Sequence, residues 1–236
     1  EKQGDDHFNC PVVAYYPQVV RWNIPDIKNV KFICDFLSLA KPRVFERRIK
    51  EILGKYFPEK DFTAKQISFA TKAAYAEYAE YLESVRAEGE RYIKKAKETG
   101  KPVILLAGRP YHVDPEINHG IHELICRLGA IVLSEDSIRP GKEKLITGVR
   151  NQWTYHSRMY NAAKFVAKAP ENLDIHVVQL VSFGCGVDAV TTDEVRSIVE
   201  KSGRLYAQVK IDEISNTGAV TIRLRSLMSV IELRKK

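Results

Sequence analysis

The sequence predicts an α/β fold in which a Rossmann-like parallel sheet is flanked by helices and joined to a long helical connector. After residue 100, short apolar runs alternate with segments of helical spacing, and the runs are apolar at successive positions, as in strands covered on both faces. Before Gly100, residues 63–99 contain no proline and keep a helical rhythm of alanine and larger apolar side chains. We therefore expect two parts, residues 1–100 and residues 101–236.

The first part is expected to be an incomplete α/β segment that ends in the long helical connector. Short β-prone runs predict strands at residues 11–15 and 30–36. Apolar residues at helical spacing predict a helix over residues 42–57, and the long helix follows over residues 63–99 until Gly100 ends it.

The second part is expected to be the Rossmann-like domain, because strands and helices alternate through it. The apolar runs predict strands at residues 103–107, 130–133, 175–183 and 205–211. The intervening patterns predict helices at residues 115–128, 145–167, 192–201 and 218–233.

Composition indicates a globular protein and excludes several other classes. The 236 residues are 44% hydrophobic and 28% charged, enough to bury a core, and no apolar run approaches the roughly 20 residues of a membrane span. The 37 basic and 30 acidic residues are dispersed along the chain, so neither a nucleic acid nor a membrane is expected as a partner. Four scattered cysteines and no secretory leader favour a reducing cytoplasm. The polar opening is consistent with a piece of a longer protein.

The turn after the first strong strand contains residues that helix chemistry does not explain. Asp114 and Pro115 suit the start of a helix, which leaves Gly108, Arg109 and His112 at the carboxyl end of a parallel strand, where such sheets bind ligands. The G-x-G-x-x-G dinucleotide pattern is absent there. The loop is therefore compatible with a ligand-facing role and equally with a structural one.

Cys185 stands apart from the other cysteines because it follows the most hydrophobic strand and lies between Gly184 and Gly186. The glycines would allow close backbone approach, and a following helix N-terminus favours a thiolate, the form that binds metal. Cys10 is also predicted to lie in a loop. Apolar neighbours predict that Cys34 and Cys126 belong to the core instead, Cys126 within a helix.

Three further groups of polar residues have ordinary structural explanations. His119 and His122 are three apart on a predicted helix, but a metal site there would need His112 as well. The aromatic face formed by Trp153, His156 and Tyr160 is typical of packing against a sheet. Residues 212–218 suit either helix capping or an anion site at the start of the last helix.

Several longer stretches resemble a known family. They are Gly108-Arg109-Pro110 after its strand, Phe183 to Ala189, Lys210 to Glu213, Ser215 to Ala219, and Arg223 to Arg225. Together they resemble the 2-hydroxyacyl-CoA dehydratase and benzoyl-CoA reductase superfamily of iron-sulfur proteins. Residues 9–13, 108–120 and 183–195 are more closely similar to the acyl-CoA dehydratase activase-related proteins, large multidomain chains of anaerobic bacteria.

That resemblance implies loop cysteines that hold a low-potential 4Fe-4S cluster, to which an ATP-driven activase supplies electrons. Cys185 matches the position of a ligand cysteine, Cys10 is the second candidate and Cys34 the third. Arg109 and His112 would flank the site, with Gly108, Gly184 and Gly186 in the cofactor-binding loops. The Gly-rich phosphate loops of the activase ATPase are absent from this sequence, so ATP hydrolysis is expected in another part of the full protein.

The function expected from the resemblance is an iron-sulfur or electron-transfer domain that works with activase and dehydratase-like domains of the same chain or a partner chain. Two alternatives stay open. The first is a cluster-free module that binds the anion of CoA or a nucleotide, and the second is a docking domain between activase and dehydratase. No catalytic residue is assigned, and whether the chain is itself an enzyme is left open. Cys10 and Cys185 are expected to approach one another at the carboxyl edge of the sheet.

Overall fold

The computed structural model describes residues 8–141, 146–182, 184–211 and 217–235. They divide into two compact units, here called the N-terminal unit (residues 8–83) and the sheet unit (residues 84–235). The division falls within the 36-residue helix Ala64–Thr99, which is the predicted helical connector and is numbered α3 below. None of the helices in the described ranges combines the length and apolarity needed to span a membrane.

The N-terminal unit is built from helices. Helix α1 spans Pro11–Asn23, a 3-10 turn follows at Pro25–Asn29, and α2 spans Pro42–Tyr56 before α3 begins. The predicted helix over residues 42–57 is thus confirmed. The strand predicted at residues 11–15 is wrong, because Pro11 occupies the first helical position, where its fixed φ angle favours a helix.

The strand predicted at residues 30–36 is also wrong, since that stretch has no regular secondary structure. A β-prone run forms a strand only when a neighbouring strand satisfies its backbone N–H and C=O groups, and none of the four strands of the described sheet pairs with residues 30–36. Propensity alone therefore misled the prediction for this unit.

The sheet unit contains four parallel strands in the spatial order β2-β1-β3-β4. They span Val103–Ala107 (β1), Ile131–Ser134 (β2), Ile175–Val181 (β3) and Tyr206–Lys210 (β4). Val103 of β1 is in register with Ile131 on one side and with Ile175 on the other. The central strands β1 and β3 are buried along their whole length, which confirms the parallel, helix-covered sheet predicted from their apolar sequences.

Alternate residues of β1 belong to different cores, one on each face of the sheet. Val103 and Leu105 pack in a core with side chains of helices α6 (Thr154–Ala167) and α7 (Gly186–Glu200). Ile104 and Leu106 pack in a second core with side chains of helices α5 (Ile121–Arg127) and α8 (Gly218–Leu233). The period of two along a strand sends successive side chains to opposite faces, so a short apolar run supports both layers.

The predicted helix over residues 115–128 is interrupted. It consists of the short helix α4, Pro115–Asn118, and α5, because His119 and Gly120 both adopt left-handed backbone conformations, with φ of 52° and 69°. Gly tolerates this conformation without strain, whereas His rarely adopts it. The break removes the continuous helical spacing on which a shared face of His119 and His122 was based.

Two other helices begin at positions that differ from the prediction. Helix α6 starts at Thr154 rather than near residue 145, and α7 starts at Gly186 rather than at residue 192. Thr191 and Thr192 are consequently inside α7, and their hydroxyls donate to backbone carbonyls earlier in the same helix. The predicted cap or anion site at residues 212–218 consists largely of residues 212–216. The predicted third strand ends at Phe183. Both lie outside the described residues.

Candidate functional site

The candidate site lies at the carboxyl edge of the sheet, where two loops meet. β1 and β3 are adjacent parallel strands, with Ala107 in register with Gln179, so the chain leaves both strands at the same edge. Gly108 and Arg109 follow β1, and Ser182 and Cys185 follow β3. Cys185 is the residue immediately before α7, at its N-cap position, and its side chain is partly exposed.

Arg109 connects the two loops. Its Nη2 donates to Asp188 Oδ1 at 2.7 Å and to Cys185 Sγ at 3.1 Å, and its Nη1 donates to the Tyr111 hydroxyl at 3.1 Å. Cys185 and Asp188 are three residues apart at the start of α7, so one guanidinium reaches both. The side chains of Arg109 and Asp188 are only 15% and 9% exposed, so the ion pair is shielded from solvent.

The buried pair keeps Arg109 charged. Burial by itself would lower the pKa of Arg109, but the charge of Asp188 and the hydrogen bond to Cys185 raise it above its usual value. Burial raises the pKa of Asp188, and Arg109 opposes that rise. The guanidinium of Arg109, 2.7 Å away, favours the ionised form of the Asp188 carboxyl.

His112 orients the loop that carries Arg109. The backbone N–H of Arg109 donates to His112 Nδ1 at 3.0 Å, so the neutral ring carries its proton on Nε2 and donates it to Ser182 Oγ at 3.0 Å. Burial, followed by the charge of Arg109, lowers the pKa of His112 to about 4, which keeps the ring neutral. The side-chain amide of Asn118 donates to the His112 carbonyl oxygen at 3.0 Å, which further fixes the conformation of this loop.

The three predicted glycines of the site differ in what their positions require. A Cβ at Gly108 would collide with the His112 ring, so only glycine fits there without moving the histidine. A Cβ at Gly184 or Gly186 would meet no atom within 4 Å, and neither residue has a positive φ. Among the described residues, sterics therefore explain Gly108 and do not require glycine at position 184 or 186.

His156 is a further titratable residue at the site, although the sequence predicted only that it packs in an aromatic face. It lies on α6, is 6% exposed, and its Nε2 is 3.9 Å from Asp188 Oδ1, too far for a hydrogen bond. Among the described residues, neither of its ring nitrogens has a hydrogen-bond partner. Burial, followed by the charge of Arg109, lowers the pKa of His156 to about 4. It is a neutral ring beside the Arg109–Asp188 pair.

Glu135 is a second unexpected titratable group at this edge. It follows β2 directly and is buried. Burial, reinforced by the charge of Asp136, raises the pKa of Glu135 to about 8, although backbone hydrogen bonds from Glu135 itself and from Gly108 oppose the rise. At neutral pH the carboxyl is therefore mostly protonated, and it contacts the loop that carries Arg109.

The sequence did not identify Tyr111, Ser182, Asp188 or His156 as site residues. One signal was available for Asp188, since a carboxylate three residues after Cys185 shares its helical face once α7 begins at Gly186. His156 carried no such signal, because only the packing of α6 places it near α7.

The four cysteines occupy different environments. Cys10 immediately precedes α1 in the N-terminal unit, whereas Cys185 belongs to the sheet unit, so their approach stays a prediction. Cys126 was predicted to be core but is exposed, because its position on α5 faces away from the side on which Ile121 and Ile125 pack. Cys34 is half-buried rather than fully in a core. In the described ranges, no group of three or more His, Cys, Asp and Glu side chains could hold a metal ion.

Comparison with known families gives one match. Residues 1–138, more than half of the chain, match the family model described as CoA enzyme activase uncharacterised domain (DUF2229). The chain belongs to this family. The resemblance to CoA enzyme activase-related proteins is thereby confirmed, and the matched region contains Arg109, His112 and Glu135. Neither the curated proteins nor the solved structures compared with the chain give a match.

Proposed function

We propose that this CoA enzyme activase-related chain contributes Cys185 as a thiolate ligand to an iron-sulfur cluster used in electron transfer. The observation that carries the proposal is the hydrogen bond of 3.1 Å from Arg109 Nη2 to Cys185 Sγ, on a partly exposed loop at the carboxyl edge of the sheet. Hydrogen bonds to ligand sulfurs help set the reduction potential of such clusters.

The donor set of the sheet unit fits a cluster only in part. Clusters of this kind are usually held by several cysteine thiolates, and the described part of the site offers Cys185 alone. The remaining ligands would therefore have to come from outside the described site, and the role of Cys10 as a second ligand stays a prediction from the sequence. When bound, the cluster would supply one-electron chemistry. The chain's own contribution is the hydrogen bond from Arg109 to Cys185, together with two neutral histidines, His112 and His156, near Arg109.

The partners that fit this proposal are an ATP-hydrolysing activase domain, which would deliver electrons, and a dehydratase-like domain, which would use them on an acyl-CoA substrate. The family description supports a connection to CoA enzymes in general. Gly184 and Gly186 have no side chain that would hinder a partner or cofactor from approaching the loop that carries Cys185.

The charges at the site favour the cluster over the alternative of a cluster-free site for a CoA or nucleotide anion. Arg109 is already bound to the buried carboxylate of Asp188, and both nearby histidines are neutral. A free anion would have to displace Asp188 from the guanidinium, whereas the Cys185 sulfur already shares Nη2 with that carboxylate.

The test is anaerobic reconstitution with iron and sulfide of this chain together with the activase and dehydratase-like domains that would supply the other ligands, followed by iron and sulfide analysis and a visible absorption spectrum. We expect bound iron and visible absorption in the wild type and the loss of most of both in Cys185→Ser. Cys126→Ser is the matched control, because Cys126 is an exposed thiol outside the site. An iron-free wild type, or equal iron in Cys185→Ser, would contradict the proposal.

A further inference from the structure

A cleft of about 790 Å³ in the N-terminal unit is lined by four basic side chains and one acidic side chain. It lies between α2 and the first turns of α3, and a volume of this size is typical of sites for small molecules. The charged side chains that line it are Arg43, Arg47, Lys50, Lys72 and Glu46.

The two sides of α2 differ in how their charges are compensated. Away from the cleft, Arg48 and Lys55 bind Asp35, with N–O distances of 2.8 and 3.1 Å. The four cleft cations form no ion pair with any residue in the described ranges. The lining keeps an excess of positive charge after Glu46 is counted, and such an excess favours an anionic ligand.

Two further features of the cleft suit an anion. Its lining includes Pro42 and Ala64, the first residues of α2 and α3, so the positive ends of two helix dipoles lie at the cleft. Thr71 also lines it and is only 5% exposed, yet its hydroxyl makes no hydrogen bond to a described residue. The hydroxyl is therefore available to donate a hydrogen bond to a ligand in the cleft.

We propose that this cleft binds a small molecule that carries a di- or triphosphate group. Phosphate oxygens accept hydrogen bonds from guanidinium, ammonium and hydroxyl groups, and adjacent phosphates can contact several of the four cations at once. A nucleotide and coenzyme A share this chemistry. The proposal depends on the N-terminal unit alone and does not require a cluster at Cys185.

The test is isothermal titration calorimetry of the whole protein, without bound iron, at low salt. The probes are inorganic pyrophosphate, ATP and CoA. We expect pyrophosphate to bind, with an affinity that falls as salt is added. Whichever of ATP and CoA binds more tightly identifies the source of the phosphates. Each lost contact to a charged group weakens binding roughly tenfold, so Arg47→Gln/Lys50→Gln should raise the Kd about 100-fold. Thr71→Val should weaken binding several-fold.

The charge-matched control is Lys94→Gln/Lys97→Gln, which removes the same number of exposed basic charges from α3 outside the cleft. It should bind pyrophosphate as the wild type does, and melting temperatures verify that every variant is folded. The proposal is overturned if none of the three probes binds, or if the cleft and control variants weaken binding equally. Binding of a short DNA or RNA duplex without binding of pyrophosphate would also overturn it, in favour of a nucleic-acid surface.

Discussion

The titratable groups around Arg109 keep one protonation state over a wider range of pH than their isolated side chains would. His112 and His156 stay neutral at pH values well below the usual pKa of histidine. Glu135 stays protonated at pH values well above the usual pKa of glutamic acid. Burial is the first cause in all three cases, and neighbouring charge adds to it. Such perturbed groups gathered at one sheet edge are a common feature of functional sites.

These shifts predict a maximum of stability near pH 6.5. Unfolded histidines take up protons below about pH 6.5 while folded His112 and His156 stay neutral to about pH 4, so stability falls as the pH drops through that window. Unfolded Glu135 ionises above about pH 4.5 while the folded carboxyl keeps its proton to about pH 8, so stability also falls as the pH rises through that range.

Above pH 6.5 the loss from Glu135 outweighs the remaining gain from the two histidines, and the free energy of unfolding should decline by about 1 kcal/mol in total between pH 6.5 and pH 8. Urea unfolding measured from pH 4 to pH 9 checks this profile. Glu135→Gln should remove the alkaline decline, while Glu123→Gln, on the exposed surface of α5, should retain it. An unchanged profile in Glu135→Gln would show that another group causes the decline.

Helix α3 approaches the turn after β2 closely at Gly89. A Cβ at this position would collide with the backbone carbonyl of Ser137, so the helix can lie there only without a side chain. Gly54 of α2 is also in a helix, but a Cβ there would meet nothing within 4 Å. The two glycines therefore occupy similar backbone structure with opposite steric surroundings.

Gly89→Ala is expected to destabilise the protein by about 1–3 kcal/mol, because overpacking outweighs the higher helix propensity of alanine. Gly54→Ala is expected to stabilise it by up to about 1 kcal/mol through that propensity. Chemical denaturation of both variants under the same conditions gives the comparison. Equal effects of the two substitutions would mean that α3 shifts away from Ser137 at little cost.

The two units differ in how much apolar surface they bury. Both cores of the sheet consist of residues from the sheet unit, and β1 contributes to each of them. Among the described residues of the N-terminal unit, Ile52 and Ile67 are the only fully buried large hydrophobic side chains, and α1 buries none. Burial of apolar surface should therefore stabilise the sheet unit more than the N-terminal unit.

We therefore expect a fragment of residues 84–236 to fold by itself and a fragment of residues 8–83 not to do so. Circular dichroism and urea denaturation of the separate fragments test this expectation. The larger fragment should unfold cooperatively, and the smaller one should lack a cooperative transition. Cooperative unfolding of the smaller fragment would show that its few buried contacts suffice.

The sequence by itself determined the parallel sheet and most of its elements. β1 and α8 have the predicted bounds, and β3 and α3 differ from their predictions by a residue or two at an end. These elements could be predicted because apolar periodicity and glycine or proline at their ends are local signals. The same local signals failed at residues 11–15 and 30–36, where no sheet partner supports a strand.

Only the tertiary structure decided how the site is composed. Arg109 contacts Cys185 and Asp188 across 76 and 79 residues of sequence, because the register of β1 with β3 brings their carboxyl ends together. The neutral state of His156 and the protonated state of Glu135 depend on burial by elements distant in sequence. Exposure of Cys126 was decided in the same way, since the direction in which a helix faces is set by the sheet it packs against and not by its own residues alone.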